Sequence, residues 1–525
     1  MLKIRAALMS LLFLFALGAV AVPRYVVPPE TPGAAPDGSY YSWATAATNI
    51  ADAVAVATDT VLVSNGTYRL SSQVVITKGI TLQSYNNGQI DRDGTILDGQ
   101  YPAFSNRCLY ASHASALIQG FTLTNGCPAT NSYSGYGGGL YLDRGWVRNC
   151  RIVGNFSATA GGGAYLGRNN TLLADSIISG NWVGTNSSGG GVYLERNATA
   201  TNCVIFNNWA ANGGGVCSLC DSATPSWTGL PALLDCTVSN NVAGPRSNGA
   251  GGAGGGVCTA NFLRIDHCRI VANEGRQTSG SQTSGAGLNL MTGSLLMNST
   301  VAYNKCVGSS CYGGGLSIQN KCIISNCFIS GNSSGIGGGL DINGTNSLVV
   351  DSRVVSNTTA LFMAGGTVRN CLIAFNGEGV RNFNNPGGFF QNCTVVSNKY
   401  GFAIGDNNTI VVTSRLENCI VYYNGSQGVN YSTGANSGLI ATNNCLLPFP
   451  TGLYDYGNTA DAPQLIDYLN FDFRLRGTSP CINKGIHRDW MAGAHDLDGA
   501  PRIRGSAVDL GAFEYLFRGT AVMLQ

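Results

Sequence analysis

Charge is scarce in this chain. Only 11% of its 525 residues are Asp, Glu, Lys or Arg, and the formal net charge is +2. No basic stripe is present to track a phosphate backbone, so nucleic acid is not expected as a partner. Histidine is rarer still. His113, His267, His487 and His495 stand in no metal-ligand spacing. Beyond Val20 no apolar run reaches membrane-spanning length, so no transmembrane domain is expected in the mature chain. Disorder is excluded on the opposite ground, because 44% of the residues are hydrophobic and β-branched positions recur throughout.

The one apolar run, Leu8 to Val20, follows Lys3 and Arg5 and ends on Ala19-Val20-Ala21. These are the three parts of a secretory signal peptide. Residues 1–21 are read as that signal, with the mature chain starting near Val22. The expected location is extracellular or at the cell surface, with the periplasm as the other exported compartment. Eighteen cysteines in an exported chain suggest disulfides, but a repeat assigns most of them otherwise.

The repeat is a seven-residue frame: Asn/Asp/His, Cys/Ser, any residue, Ile/Val, two residues, Asn. It reads Asn149-Cys150-Arg151-Ile152-Val153-Gly154-Asn155 and returns with its Cys/Ser at 176, 203, 236, 268, 299, 327, 352, 371, 393 and 419. A decayed copy starts at Asn444-Cys445. Steps of 19 to 33 residues between frames suit one coil of a β-solenoid with loops of variable size. Period-2 alternation puts Cys150 and Ile152 on one face and Arg151 on the other. A second apolar position three residues before each Cys/Ser (Val147, Leu173, Leu233, Ile265 and so on) marks another strand. The two strands meet at the Asn/Asp/His position, whose residue types tolerate left-handed backbone angles. A third strand follows glycine clusters such as Gly137-Gly138-Gly139 and Gly161-Gly162-Gly163. Glycine supplies the positive φ of a sharp turn.

Three short strands and three bends per coil predict an all-β fold: a right-handed parallel β-helix of about a dozen three-strand coils. The last Asn of each frame should form an amide ladder. The Cys/Ser column should hold small buried packing residues. Better disulfide candidates lie off that column: Cys306 with Cys311, or Cys217 with either Cys220 or Cys258.

Residues 22–126 read as an N-terminal cap and first coils, with a capping helix over Ile50 to Ala57. Residues 127–449 read as the repeats and 450–525 as a small C-terminal module outside the repeat. The order Asp59-Thr60-Val61-Leu62-Val63, Gly66-Thr67-Tyr68, Gly79-Ile80-Thr81-Leu82 and Gly120-Phe121-Thr122-Leu123-Thr124-Asn125-Gly126 resembles the start of pectate-lyase-like β-helix proteins. The tail motifs Asp472-Phe473-Arg474-Leu475, Ser479-Pro480-Cys481-Ile482-Asn483-Lys484-Gly485, Asp496-Leu497-Asp498-Gly499-Ala500-Pro501-Arg502 and Val508-Asp509-Leu510-Gly511-Ala512-Phe513-Glu514-Tyr515 resemble the C-terminal module of bacterial choice-of-anchor Q surface proteins. The first resemblance implies the fold rather than an activity, since this fold hosts lyases, hydrolases, adhesins and inert spikes.

On the glycine-led strand the outward residues of three successive coils include Tyr141, Tyr165 and Tyr193, beside Asp143 and Glu195. Exposed tyrosines in a column would make a platform for sugar rings, although Tyr is also simply a good strand former. Further along, the outward column reads Cys217, Cys258, Asn289, Ser317 and Asp341. It is flanked by long loops carrying Asp221, Trp227, Arg246 and Arg276, and Asn289, Ser317 and Asp341 are read as lining a ligand groove. For catalysis the candidates are Asp143 and Glu195 as paired carboxylates, with Arg168 as a base or charge partner. Asp496, Asp498 and Asp509 are candidate ligands for a Ca²⁺ ion, read against turn residues bonding local backbone. No other cofactor is expected. The preferred reading is a binder of extracellular polysaccharide or a cell-surface glycan. The alternatives are a polysaccharide lyase or glycoside hydrolase, and a structural or adhesive surface solenoid.

Overall fold

The computed structural model describes residues 22–516 except 130–134, 221–228, 245–251, 278–282, 309, 383–386, 406–411, 426–430, 434–437 and 448–455. Residues 1–21, read as a signal peptide, therefore lie outside the described residues, as do Asp221, Trp227 and Arg246.

The chain is a right-handed parallel β-helix. Its frame strands stack as one fifteen-stranded parallel sheet, from Gly66–Arg69 through Arg151–Val153 to Cys445–Leu446. Three of these rungs precede the first frame, so the solenoid is longer than the repeat alone suggests. The glycine-led strands and the strands preceding each frame form the other two faces, joined into one sheet because Leu109–Gln119 and Leu140–Arg148 run continuously through both. A capping helix, Ile50–Val56, buries Ile50, Ala53 and Val54, and the Asn49 side chain accepts the N–H of Ala51 at its start. Among the described residues no helix is long and apolar enough to cross a membrane.

The local rules of the frame hold. From Asn149 to Asn418, all eleven Asn/Asp/His corner residues are left-handed, with φ between +48° and +55°, His267 included. The residue before the last Asn of each frame makes a second left-handed corner, and it is not confined to glycine: Ala272, Tyr303 and Phe375 stand at +55°, +56° and +57°. The Cys/Ser and Ile/Val positions are buried in every frame. The frame cysteines are unpaired and donate weakly to backbone carbonyls, as Cys203 does to Thr201 at 3.2 Å. Cys306 and Cys311 form a disulfide.

The ladder is continuous from Asn155 to Asn424, with each Nδ2 donating to the Oδ1 of the next coil's Asn. Asn332 shows how completely each amide is used. Its Oδ1 accepts from the backbone N–H and the Nδ2 of Asn304 at 2.9 and 3.0 Å. Its Nδ2 donates to the Val301 carbonyl and to Asn357 Oδ1 at 2.9 and 3.0 Å.

One expectation of the repeat fails at its end. The residue between Cys/Ser and Ile/Val should face water, as Arg151 and Arg269 do, but Leu372, Thr394 and Ile420 are buried. The C-terminal module folds back along the outside of the last coils and covers them. Leu372, Val396 and Ile420 share a core with Leu465, Phe473, Leu510, Ala512 and Phe513 of the module. The corner residue Asn418 serves as a peg: its Nδ2 donates to the Ile486 carbonyl and its Oδ1 accepts the Ile486 N–H, both at 2.8 Å. Gly511 donates its N–H to the Asn418 carbonyl at 2.7 Å, and Ala512 donates to Thr394 Oγ1 at 2.9 Å. Arg353 and Arg488 reach across to Leu497 O and to Glu417.

Candidate functional site

The tyrosine column exists, and it is longer than three rings. Register pairing aligns Tyr110, Tyr141, Tyr165 and Tyr193 on consecutive coils. Ring centroids lie 5.3, 5.1 and 5.1 Å apart, and the last pair is parallel to within 3°. The first two pairs are edge-to-face, at 76° and 75°, so Tyr141 sets its ring across those of Tyr110 and Tyr165 and only the last pair is stacked. Tyr165 departs from its expected exposure. It is only 5% exposed, because the Tyr136 ring lies 4.5 Å away from it. The cause is the glycine cluster itself. The chain entering each cluster crosses the outer side of the strand, and its first glycine sits at the root of an outward side chain. A Cβ on Gly213 would lie 2.9 Å from Cys217 Cβ, and one on Gly254 2.8 Å from Cys258 Cβ. Alternation predicts which side a residue faces, and says nothing about a roof over that side.

Asp143 and Glu195 occupy one column, with Gly167 on the coil between them. The Tyr165 hydroxyl donates to Glu195 Oε1 at 2.5 Å, and the Arg168 Nε donates to Oε2 at 3.0 Å. Burial, then Glu195, pushes the Tyr165 hydroxyl well above its usual range. Asn169 donates to Asp143 Oδ1 at 3.2 Å, and Arg144 stands 3.9 Å from Oδ2. Arg107 is buried under the column, 5.3 Å from the Tyr141 ring, and donates to the Tyr136 and Gly137 carbonyls. Burial pushes the Tyr141 hydroxyl up to about 12. The result is a ledge of ring edges, hydroxyls, two carboxylates and guanidinium groups. Two coils set the strands that carry the acids about 9.6 Å apart, at the upper limit of the range of about 5–9.5 Å for paired carboxylates. Glu195 is already shared between a tyrosine and an arginine.

The second expected site is not an open groove in the described residues. Asn289, Ser317 and Asp341 follow Cys258 in register, but all three are buried. Here the first glycine sits against the next coil: a Cβ on Gly337 would lie 2.9 Å from the Cβ of Phe362, the residue paired with Asp341. Asp341 Oδ2 accepts from Ser317 Oγ at 2.9 Å and from Asn343 Nδ2 at 2.5 Å, while its Oδ1 is buried without a partner. Burial pushes this carboxyl up to about 6. Arg276, expected on a flanking loop, instead ends the short strand Glu274–Arg276 and pairs with Glu274 at 2.5 Å.

The acids of the C-terminal module do not gather around a cation position. Asp496 Oδ1 accepts the N–H groups of Asp498 and Ala500, and Oδ2 that of Glu514. Asp509 accepts those of Asn483 and Tyr515. Asp498 faces Arg353 at 3.3 Å. The group near Asp496 and Asp509 is the fully buried guanidinium of Arg502, which neighbours Glu514 at 3.4 Å. These donors suit turns and one buried arginine, and they do not fit Ca²⁺.

A second aromatic strip was missed by the sequence reading. Tyr101, Phe156 and Trp182 have centroids 5.6 and 5.7 Å apart along the strip, and Trp182 pairs in register with Trp209. The signal was present, since the residue after the ladder Asn is aromatic in three successive frames: Phe156, Trp182 and Trp209.

No family model and no curated protein matches the chain. Solved structures similar to it include pectate lyase Pel9A, with 14% identity over 94% of this chain and 96% of that one at a TM-score of 0.31. The A-module of the Azotobacter vinelandii mannuronan C-5 epimerase AlgE6 matches with 13% identity over 79% and 96% at 0.31. XylC in complex with xylose matches with 10% identity over 94% and 98% at 0.32. Likeness at this level says nothing of a shared activity.

Proposed function

We propose that this is an exported protein that binds an extracellular polysaccharide along the flank carrying Tyr110, Tyr141 and Tyr193. One observation carries the reading. In a chain with 11% charged residues, Asp143, Arg144, Arg168, Glu195 and Arg196 crowd beside one aromatic column across three coils. Such a ledge repeats its donors and acceptors at the strand spacing of about 4.8 Å, which suits an extended polymer of hydroxyl-bearing units better than a compact ligand. Ring edges and hydroxyls contribute polar contacts, and charge-assisted bonds from arginine are the strong ones. Three arginines against two acids favour a chain that carries some carboxylate.

The test is retention of the purified protein on immobilised neutral and uronate-containing polysaccharides, with the eluate assayed for reducing ends and unsaturated uronates. Retention on at least one uronate polymer, weakened by salt and without new ends, is expected. New reducing ends or unsaturated products would replace this reading with a hydrolase or a lyase. No retention on any polymer would leave a structural solenoid.

A further inference from the structure

We propose that Cys217 and Cys258 are an oxidation site that closes to a disulfide joining two successive coils, leaving Cys220 outside the bond. The inference does not depend on polysaccharide binding. Cys217 and Cys258 pair in register on adjacent parallel strands, Val216–Ser218 and Val257–Thr259. That register sets their Cα atoms about 4.8 Å apart, inside the disulfide range of about 4.4–6.8 Å. Both side chains leave the same side of the sheet, and each thiol shifts the other's ionisation. Asn289 Nδ2 adds a weak contact to Cys258 Sγ at 3.9 Å.

Other cysteines also stack in register, such as Cys203 with Cys236, yet they face the sealed interior of the helix. Cys258 differs. Among the described unbonded cysteines it alone is not buried. Its thiol is held below the usual range by the neighbouring Cys217 thiol, while Cys217 is pushed up by Cys258 and by burial. Cys258 is thus both the less buried residue of the pair and the one that ionises first, as a reactive cysteine requires.

The oxidant is an external disulfide, such as oxidised glutathione or a disulfide oxidase. The Cys258 thiolate attacks one sulfur of that disulfide, forming a mixed disulfide and releasing one thiol. Cys217, losing its proton to water, then attacks Cys258 Sγ and releases the second thiol. Two protein thiols and one external disulfide become one protein disulfide and two external thiols.

The test uses the full chain incubated with oxidised glutathione, alkylated, and digested with chymotrypsin, whose cleavage after Leu219 separates Cys217 from Cys220. A cross-linked Cys217–Cys258 peptide is expected. A Cys217→Ser/Cys258→Ser variant should lose that peptide and show a smaller drop in thermal midpoint on adding reductant, the remainder coming from Cys306–Cys311. Oxidised protein that keeps its thermal midpoint but yields both cysteines fully alkylated would overturn the proposal. So would a Cys217–Cys220 linkage.

Discussion

Replacing Asn332 by alanine is expected to destabilise the protein by about 3–5 kcal/mol, because several buried groups are orphaned at once. The Asn304 backbone N–H loses its acceptor and its Nδ2 one of two, and the Val301 carbonyl and Asn357 Oδ1 each lose a donor. Bulk solvent does not reach these groups, since Asn332 is 1% exposed inside an unbroken run of amides. Chemical unfolding of the variant and of Asn357→Ala measures the cost. The double variant should lose clearly less than the sum, because the bonds between Asn332 and Asn357 are counted in both single changes. Strict additivity would mean that each Asn acts alone.

That ladder was legible in the sequence because it obeys a rule repeated in every frame: one residue type at one position, with its period fixed by the coil. The left-handed corners at Asn149 and its equivalents were legible for the same reason. The second corner was not, because its occupants range from Gly154 to Tyr303 and Phe375. A backbone angle set by the coil imposes no single side chain there. The site was harder to read. Alternation correctly put Tyr141, Tyr165 and Tyr193 on one side. However, the burial of Tyr165, Ser317 and Asp341 depends on where the turn before each glycine cluster passes, and that is a tertiary fact. The docking of the C-terminal module left no trace: Leu372 and Ile420, which lie beneath it, are apolar at the outward frame position, but so are Ile177, Val204 and Phe328, which do not share its core.

The second large effect is expected at Asp341. Its folded pKa of about 6 lies above the ordinary value of 3.8, so folding favours the protonated form. Any stability from this group is therefore present below about pH 4 and lost as the pH rises through about 6. The shift corresponds to a penalty of about 3 kcal/mol once the carboxylate is ionised. Asp341→Asn keeps an acceptor for Ser317 and Asn343 and carries no charge. Urea unfolding should show the variant more stable than the parent by up to about 3 kcal/mol near pH 8, with the gain vanishing near pH 4. An equal effect at both pH values would show that the substitution acts through packing rather than through ionisation.

The flank carrying Asp143, Arg144 and Arg168 is the centre of the functional account, and surface changes test it without disturbing the core. A Asp143→Asn/Arg144→Gln/Arg168→Gln variant removes charge from side chains that are 31%, 51% and 54% exposed. An Arg151→Gln/Arg269→Gln variant removes charge from the frame face and serves as the control. Exposed ion pairs contribute little to stability, so both variants should melt close to the parent. The decisive measurement is their affinity for whichever polysaccharide retains the parent protein. Loss of charge-assisted bonds on the flank predicts at least about tenfold weaker binding, about 1.4 kcal/mol, for the first variant and none for the second. Undiminished binding by the flank variant, or an equal loss in both, would contradict a polysaccharide site on this face.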